Sequence, residues 1–250
     1  MRRKRVAGNW KMNKDHREGA ALAREILEGL AKEPVSCEVI LLPPFTTLPA
    51  VLQVLAGSAV SVGGQDLFYE DEGAFTGEVS GSMLKSLGCA YVLVGHSERR
   101  HVIGEGGEIL AKKLRAALRN GLAPIYCVGE LIEERESGRA EAVVERQLAD
   151  ALHGLSASEI GRGVIAYEPV WAIGTGKTAT PDDASSMHAF IHAALERIVE
   201  PAAAREMPIL YGGSVKPDNA AALLSRDGID GFLVGGASLK APSFLAVMPR

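Results

Sequence analysis

The 250-residue sequence has a net charge of −4, with 47% hydrophobic and 23% charged residues. That length suits one domain with a large buried core, and the charge gives no overall positive field for nucleic acid. No window approaches the ~18 uninterrupted apolar residues of a membrane span, no apolar stretch of about 7–15 residues follows the basic run Met1–Arg5, and Cys37, Cys89 and Cys127 form neither a disulfide framework nor a zinc spacing, which fits a reducing cytoplasm.

Short apolar runs rich in β-branched residues alternate with longer patterns of helical period. In chain order the spacing predicts a strand over 5–9, a helix over 16–30, a strand over 38–42, a helix over 46–55 and a strand over 60–63. A long, acidic, Gly-rich loop from Gln65 to Gly81 follows, then a short helix over 82–87. Loops longer than about 12–15 residues inside a compact domain usually have a function. Strands over 91–94, 123–128, 163–167, 209–211 and 231–234 complete the set, with helices over 108–120, 140–152, 182–199 and 219–224 between them. Eight strands alternating with helices in one chain predict an α/β fold: a closed, eight-stranded parallel (β/α)8 barrel forming a single domain over residues 1–250. An open doubly wound sheet is the competing architecture.

Barrels of this kind place their chemistry at the C-terminal ends of the strands. The first strand delivers Asn9 and Lys11, the fourth His96 and the sixth Glu168. The seventh ends in Gly212-Gly213-Ser214 and the eighth in Gly235-Gly236. Pro169 disfavours the helical region for Glu168, so the acid ends an extended segment. A base, a cation, an imidazole, an amide and two glycine turns at one mouth suit proton transfer beside a carbonyl on a small phosphorylated substrate. The set has no nucleophile paired with a base and no cluster of metal ligands, so no metal site is expected.

Look-alike motifs carry less weight. Gly174-Thr175-Gly176-Lys177-Thr178 resembles the end of a nucleotide-binding loop, but the glycine that motif needs at position 171 is Trp171. His188 and His192 are four apart on a helix without the glutamate of a metalloprotease motif, and read as helix-face histidines. Cys127 reads as a packed thiol. Gly63-Gly64 and Gly106-Gly107 read as simple turns.

Five segments carry a resemblance to a known family: Gly8-Asn9-Trp10-Lys11-Met12-Asn13, Val94-Gly95-His96-Ser97-Glu98-Arg99-Arg100, the run from Ala166 to Pro181, Tyr211-Gly212-Gly213-Ser214-Val215, and Leu233-Val234-Gly235-Gly236-Ala237-Ser238. In order and spacing they resemble the triosephosphate isomerase family, whose fold is the TIM barrel. The resemblance implies reversible interconversion of dihydroxyacetone phosphate and D-glyceraldehyde 3-phosphate through an enediolate, without cofactor, in glycolysis and gluconeogenesis. It assigns Glu168 as the base, His96 as the neutral donor to the carbonyl oxygens, Lys11 as the cation and Asn9 as a polar contact. The amides of Gly174, Ser214, Gly235 and Gly236 would grip the phosphate. Glu98 is placed either to pair with Lys11 or as a surface acid at a helix start. Pro169-Val170-Trp171 and Gly174-Thr175-Gly176-Lys177 resemble the hinges of a closing loop, with Ala172-Ile173 at its apolar tip.

The loop from Gln65 to Gly81, with Phe75 and Thr76, resembles the family's dimer arm; Thr76 at its tip would enter a neighbouring subunit near Asn9 and Lys11, and Gln65 would also lie at the interface. A homodimer is therefore expected, with no nucleic-acid or membrane partner. A phosphate-eliminating lyase on the same triose phosphate is one alternative, and a non-catalytic phosphometabolite-binding barrel is another. The sequence also departs from the family pattern. His192 stands where an arginine is common and Gly228 where an aspartate is common, which leaves open how the helix after the sixth strand is braced against the eighth. The Gly106-Gly107 pair leaves the next helix start poorly capped.

Overall fold

Hydrogen bonds between neighbours close eight parallel strands into a ring in a computed structural model that describes residues 2–173 and 179–250. The strands are β1 (Arg5–Asn9), β2 (Glu38–Leu42), β3 (Ser61–Gly64), β4 (Tyr91–Val94), β5 (Ala123–Val128), β6 (Val164–Tyr167), β7 (Ile209–Tyr211) and β8 (Gly231–Val234). The ring is sealed where Val6 pairs with Phe232 and Ala7 with Leu233. The open sheet is therefore set aside, and with a helix in each of the strand-to-strand connections the architecture is a TIM barrel.

Both faces of every strand are covered, which is why the strands read as continuous apolar runs rather than alternating ones. Ala7, Ile40, Leu42, Tyr91, Leu93, Ile125, Cys127, Val164, Ala166, Leu210 and Leu233 fill the barrel interior as one cluster. A second, larger cluster lies between the sheet and the helices and includes Trp10, Ile26, Leu48, Leu114, Ile191 and Phe244. Successive side chains on a strand point to opposite faces. Interior positions such as Val164 and Ala166 therefore put Glu168, two residues on, over the mouth of the barrel.

The helices begin and end where local chemistry says they should. Asp15 caps His16–Lys32 by accepting from the Arg17 and Glu18 amides, and Glu18 returns the favour to the Asp15 amide. Thr180 and Asp183 form the same reciprocal pair at the start of Pro181–Ile198, with Pro181 in the first turn. Gly107–Arg119 starts at Gly106 with no side-chain cap, as the sequence suggested. Four short helices have no counterpart in the sequence reading: Ile132–Glu136, Ala157–Ile160, Pro201–Glu206 and Ala241–Ala246.

One sequence expectation needs correction. Gly63 and Gly64 are not a turn but the end of β3. A Cβ on Gly63 would lie 2.5 Å from the Tyr91 carbonyl oxygen, so close approach to β4 is what calls for glycine there. The bracing of Pro181–Ile198 is also resolved. Arg2 donates through Nε to Asp230 at 2.8 Å and through Nη1 to the Arg205 carbonyl at 2.6 Å, and its Nη2 lies 3.1 Å from His192 Nε2. His188 Nδ1 meets the Gly228 carbonyl at 2.9 Å. An arginine of the basic run Met1–Arg5 thus ties the sixth-strand helix to the foot of β8.

Candidate active site

At the C-terminal rim a cleft of about 670 Å³ is lined by Asn9, Lys11, His96, Glu168, Ser214, Gly235 and Gly236, together with Ile173, Lys216 and others. Every site residue expected from the sequence therefore faces one space except Gly174, which lies outside the described residues, as does Lys177.

Glu168 follows β6 directly and is 2% exposed. Its backbone amide continues the ladder by donating to the Val128 carbonyl at 2.8 Å. One carboxylate oxygen accepts from the Ser97 amide at 2.7 Å, and the other lies 3.1 Å from His96 Nε2. Burial of a carboxylate without partners would be unfavourable, and these two contacts supply them.

His96 follows Gly95 at the end of β4, and the chain then turns into helix at Ser97. The Glu98 amide at that helix start points at His96 Nδ1, 3.3 Å away. A nitrogen that accepts an N–H carries no hydrogen of its own, so Nε2 carries the ring proton and aims it across the mouth at Glu168. The ring is thereby set as a donor on its cleft side.

Lys11 sits in the left-handed region, with φ of 52°. Two contacts hold that conformation: the Lys11 amide donates to Asn9 Oδ1 at 3.0 Å, and Gln65 Nε2 donates to the Lys11 carbonyl at 2.8 Å. Its ammonium donates to Glu98 at 2.7 Å, so Glu98 pairs with Lys11 rather than standing as a surface acid. Beside Lys11, after the neighbouring strand β8, Gly235 leads into a tight turn over Gly236–Leu239, with Ser238 Oγ donating to the Gly235 carbonyl at 2.6 Å. Ser238 is fully buried and ties this turn to the Asn9 carbonyl.

Several supporting residues escaped the sequence reading. Glu130, just past β5, is fully buried and accepts from Trp171 Nε1 at 2.8 Å and the Tyr167 hydroxyl at 3.0 Å. Arg135 lies 3.4 Å from it and also reaches Asp183 at 2.6 Å, so the start of the loop after β6 is held by charged groups. A glutamate directly behind a glycine at a buried strand's end was the available signal. Asp66, Arg99, Glu105 and Lys113 form a second network behind the mouth; Lys113 donates to Asp66 and Glu105 at 2.6 Å each, and Arg99 to both acids. Desolvation pushes the Asp66 carboxyl up, whereas Glu105 is held down by Arg99 and Lys113 despite its burial.

Two of the look-alikes have structural explanations. Burial raises the Cys127 thiol well above its ordinary value inside the barrel, which leaves it a poor nucleophile. His188 is fully buried against Tyr167, and no group of three or more His, Cys, Asp or Glu residues among the described residues is placed to hold a metal ion.

Comparison with known proteins places this geometry in context. A family model described as triosephosphate isomerase matches residues 4–249. The triosephosphate isomerase of Herpetosiphon aurantiacus is 52% identical over 99% of this chain and 99% of its own length. That of Roseiflexus castenholzii is 52% identical over 99% of this chain and 97% of its own. Among solved structures, a triosephosphate isomerase from Bartonella henselae superposes with a TM-score of 0.88 at 41% identity, covering 98% of this chain and 97% of its own.

Proposed function

The chain belongs to the triosephosphate isomerase family, and from that premise we infer how its residues share the work of the reaction. The activity is that of an aldose–ketose isomerase interconverting dihydroxyacetone phosphate and D-glyceraldehyde 3-phosphate. The likeness gives no support to the lyase or the non-catalytic binder.

We propose that Glu168 removes a proton from the carbon beside the substrate carbonyl and returns it to the neighbouring carbon. To do so the carboxylate exchanges its contacts with His96 and Ser97 for the substrate carbon. His96 Nε2–H, released from Glu168, donates to the oxygen on which negative charge develops, as a fixed donor does in a preorganised site. Lys11 adds its positive charge beside that oxygen and the phosphate. The amides of Ser214, Gly235 and Gly236, with that of Gly174, hold the dianion, and the turn that begins at Gly236 presents N–H groups toward it. Two protons move: the one Glu168 takes from one carbon it gives to the next, and the hydroxyl proton of the first carbon passes to the former carbonyl oxygen by way of His96 Nε2, which gives its hydrogen to one oxygen and regains one from the other. The single observation supporting this assignment is the 3.1 Å contact between His96 Nε2 and Glu168, which sets donor and base around one substrate-sized space.

In the same reading the molecule works as a homodimer through the loop 65–81, with Phe75 and Thr76 entering the partner. Phe68 stacks on Tyr69 at 4.3 Å and packs against Phe75 at 4.4 Å, which stiffens the arm, while Phe75 remains 41% exposed. Met12, Val102 and Ile103 are exposed beside Lys11 and Arg99 around a groove that would receive such an arm. We further place the enzyme in the cytoplasm, in glycolysis and gluconeogenesis; no helix among the described residues is long and apolar enough to cross a membrane.

A coupled assay that consumes glyceraldehyde 3-phosphate tests the chemistry. Wild-type protein should turn over dihydroxyacetone phosphate, and Glu168→Gln should lose about 10²- to 10⁴-fold in kcat. Undiminished turnover in that variant would remove Glu168 from the role of base.

A further inference from the structure

Both reacting groups hang from backbone that borders β5. His96 lies two residues beyond β4, Glu168 one residue beyond β6, and β5 runs between them. Resting on the reading of Glu168 as base, we propose that a network of Arg100, Tyr126 and Gln147 behind β5 sets the spacing of these two groups, with Gln147 as a positioning residue for the base.

The base side rests on Gly129. Its backbone presses so closely on Glu168 that an added Cβ would lie 1.8 Å from the Glu168 carbonyl oxygen. At this point β5 has ended, and the peptide groups of Gly129 are met by a side chain. The Gly129 amide donates to Gln147 Oε1 at 2.8 Å, and Gln147 Nε2 donates to the Gly129 carbonyl at 3.0 Å. A carboxamide offers a donor and an acceptor side by side, as a neighbouring peptide would. Gln147 therefore extends the sheet's pairing by one residue, at the residue that Glu168 rests against.

The imidazole side rests on Gly95, which takes φ of +74° immediately before His96. Arg100 Nε donates to its carbonyl at 2.9 Å. The same guanidinium reaches across to β5, donating to the Cys127 carbonyl at 2.8 Å and the Tyr126 hydroxyl at 3.0 Å. Tyr126, 1% exposed, passes its own hydrogen to the Gln147 carbonyl at 2.8 Å. The bonds run without a break from Gly95 through Arg100, Tyr126 and Gln147 to Gly129. None of the three linking side chains lines the cleft, so they reach the reaction only through backbone that carries His96 and Glu168. A planar guanidinium and a planar carboxamide hold direction as well as distance. Direction is what a misplaced base loses first.

Gln147→Met keeps the length of the side chain and removes both bonds to Gly129. Gln147→Glu keeps the acceptor for the Gly129 amide and sets an oxygen against its carbonyl. Tyr126→Phe keeps the ring and opens the bridge. Steady-state turnover of dihydroxyacetone phosphate is read beside the Kd for inorganic phosphate, at a temperature where each variant is folded by circular dichroism. For Gln147→Met kcat should fall between about 10- and 100-fold, as a misplacement near 1 Å does. Its KM and phosphate Kd should stay within about twofold of wild type, because Ser214, Gly235, Gly236 and Lys11, which are assigned to the phosphate, follow β7, β8 and β1 rather than β5. Gln147→Glu and Tyr126→Phe should fall between it and wild type. Wild-type kcat in all the variants that fold, or a parallel loss of phosphate affinity, would overturn the positioning role. If Gln147→Met does not fold, Gln147→Glu and Tyr126→Phe carry the same comparison.

A second background separates this proposal from the reading beneath it. In Glu168→Gln, adding Gln147→Met should change kcat by less than about twofold, because the group it positions is gone. Losses that multiply would overturn the network's role and leave Glu168 as base. High turnover in Glu168→Gln alone would overturn the base itself.

Discussion

Lys11 shows how a single residue at the mouth is held in a conformation its type rarely adopts. Left-handed backbone for a residue with a Cβ costs roughly 1–2 kcal/mol, and Asn9 and Gln65 offset that by bonding to the Lys11 amide and carbonyl. The result directs the ammonium over the cleft, with Glu98 as its partner. Lys11→Met should lower kcat/KM by at least about 10²-fold and weaken inorganic phosphate binding, while unfolding in urea changes by no more than about 1 kcal/mol, as for a largely solvated pair. Equal phosphate affinity in the two proteins would show that Lys11 does not serve the dianion. Lys11, His96 and Glu168 were legible in the sequence because each sits at a strand tip inside a recognisable run. Gln147 and the role of Arg100 were not, because they act through bonds to residues distant in sequence. No local pattern distinguishes Gln147 from any half-exposed helical glutamine.

Among the elements, the eight strands were the easiest to read, since a strand buried on both faces is an unbroken apolar run with glycine or a charge at its end. The four missed helices run only four to six residues, too few for a helical period to register. One of them did carry a signal, the reciprocal cap between Ser156 and Glu159 that opens Ala157–Ile160. The brace between Pro181–Ile198 and β8 was illegible for a different reason. Its arginine comes from position 2, at the far end of the chain, and takes up a partner, Asp230, that also accepts from the Ile209 amide. Arg2→Ala should lower stability by about 1–2 kcal/mol in urea, since Asp230 loses its charged partner while staying buried. The kcat of that variant should match wild type, because the brace lies at the opposite end of the strands from the mouth. A loss of turnover without a loss of stability would contradict this division.

Over the whole molecule, the tight packing that holds the mouth also fixes the response to acid. Burial lowers the His188 pKa from 6.5 to about 4, against the smaller opposing effects of the Gly228 carbonyl and Asp230, with His192 and Lys4 adding to the fall. Folding therefore keeps this ring neutral where the unfolded chain would protonate it. Stability is full above about pH 6.5 and is lost as pH drops from there toward 4, by on the order of 3 kcal/mol from this residue if nothing relaxes. Urea unfolding at pH 7 and pH 5 should show the loss, and His188→Asn should flatten it; an unchanged slope in that variant would assign the acid sensitivity elsewhere. In the proposed homodimer, association rests on the exposed arm. Replacing Phe75 and Thr76 by glutamates should shift sedimentation from dimer toward monomer and reduce turnover together, and a fully active monomer would refute an interface that supports the site.

The shuttling of one proton by Glu168 is tested most directly by exchange rather than by turnover. Dihydroxyacetone phosphate incubated with the protein in deuterium oxide should take up deuterium at the carbon bearing the free hydroxyl, followed by proton NMR. Wild-type protein should catalyse that exchange with no release of inorganic phosphate, and Glu168→Gln should slow it by about 10²- to 10⁴-fold. Exchange as fast in the variant as in wild type would contradict the assignment of Glu168.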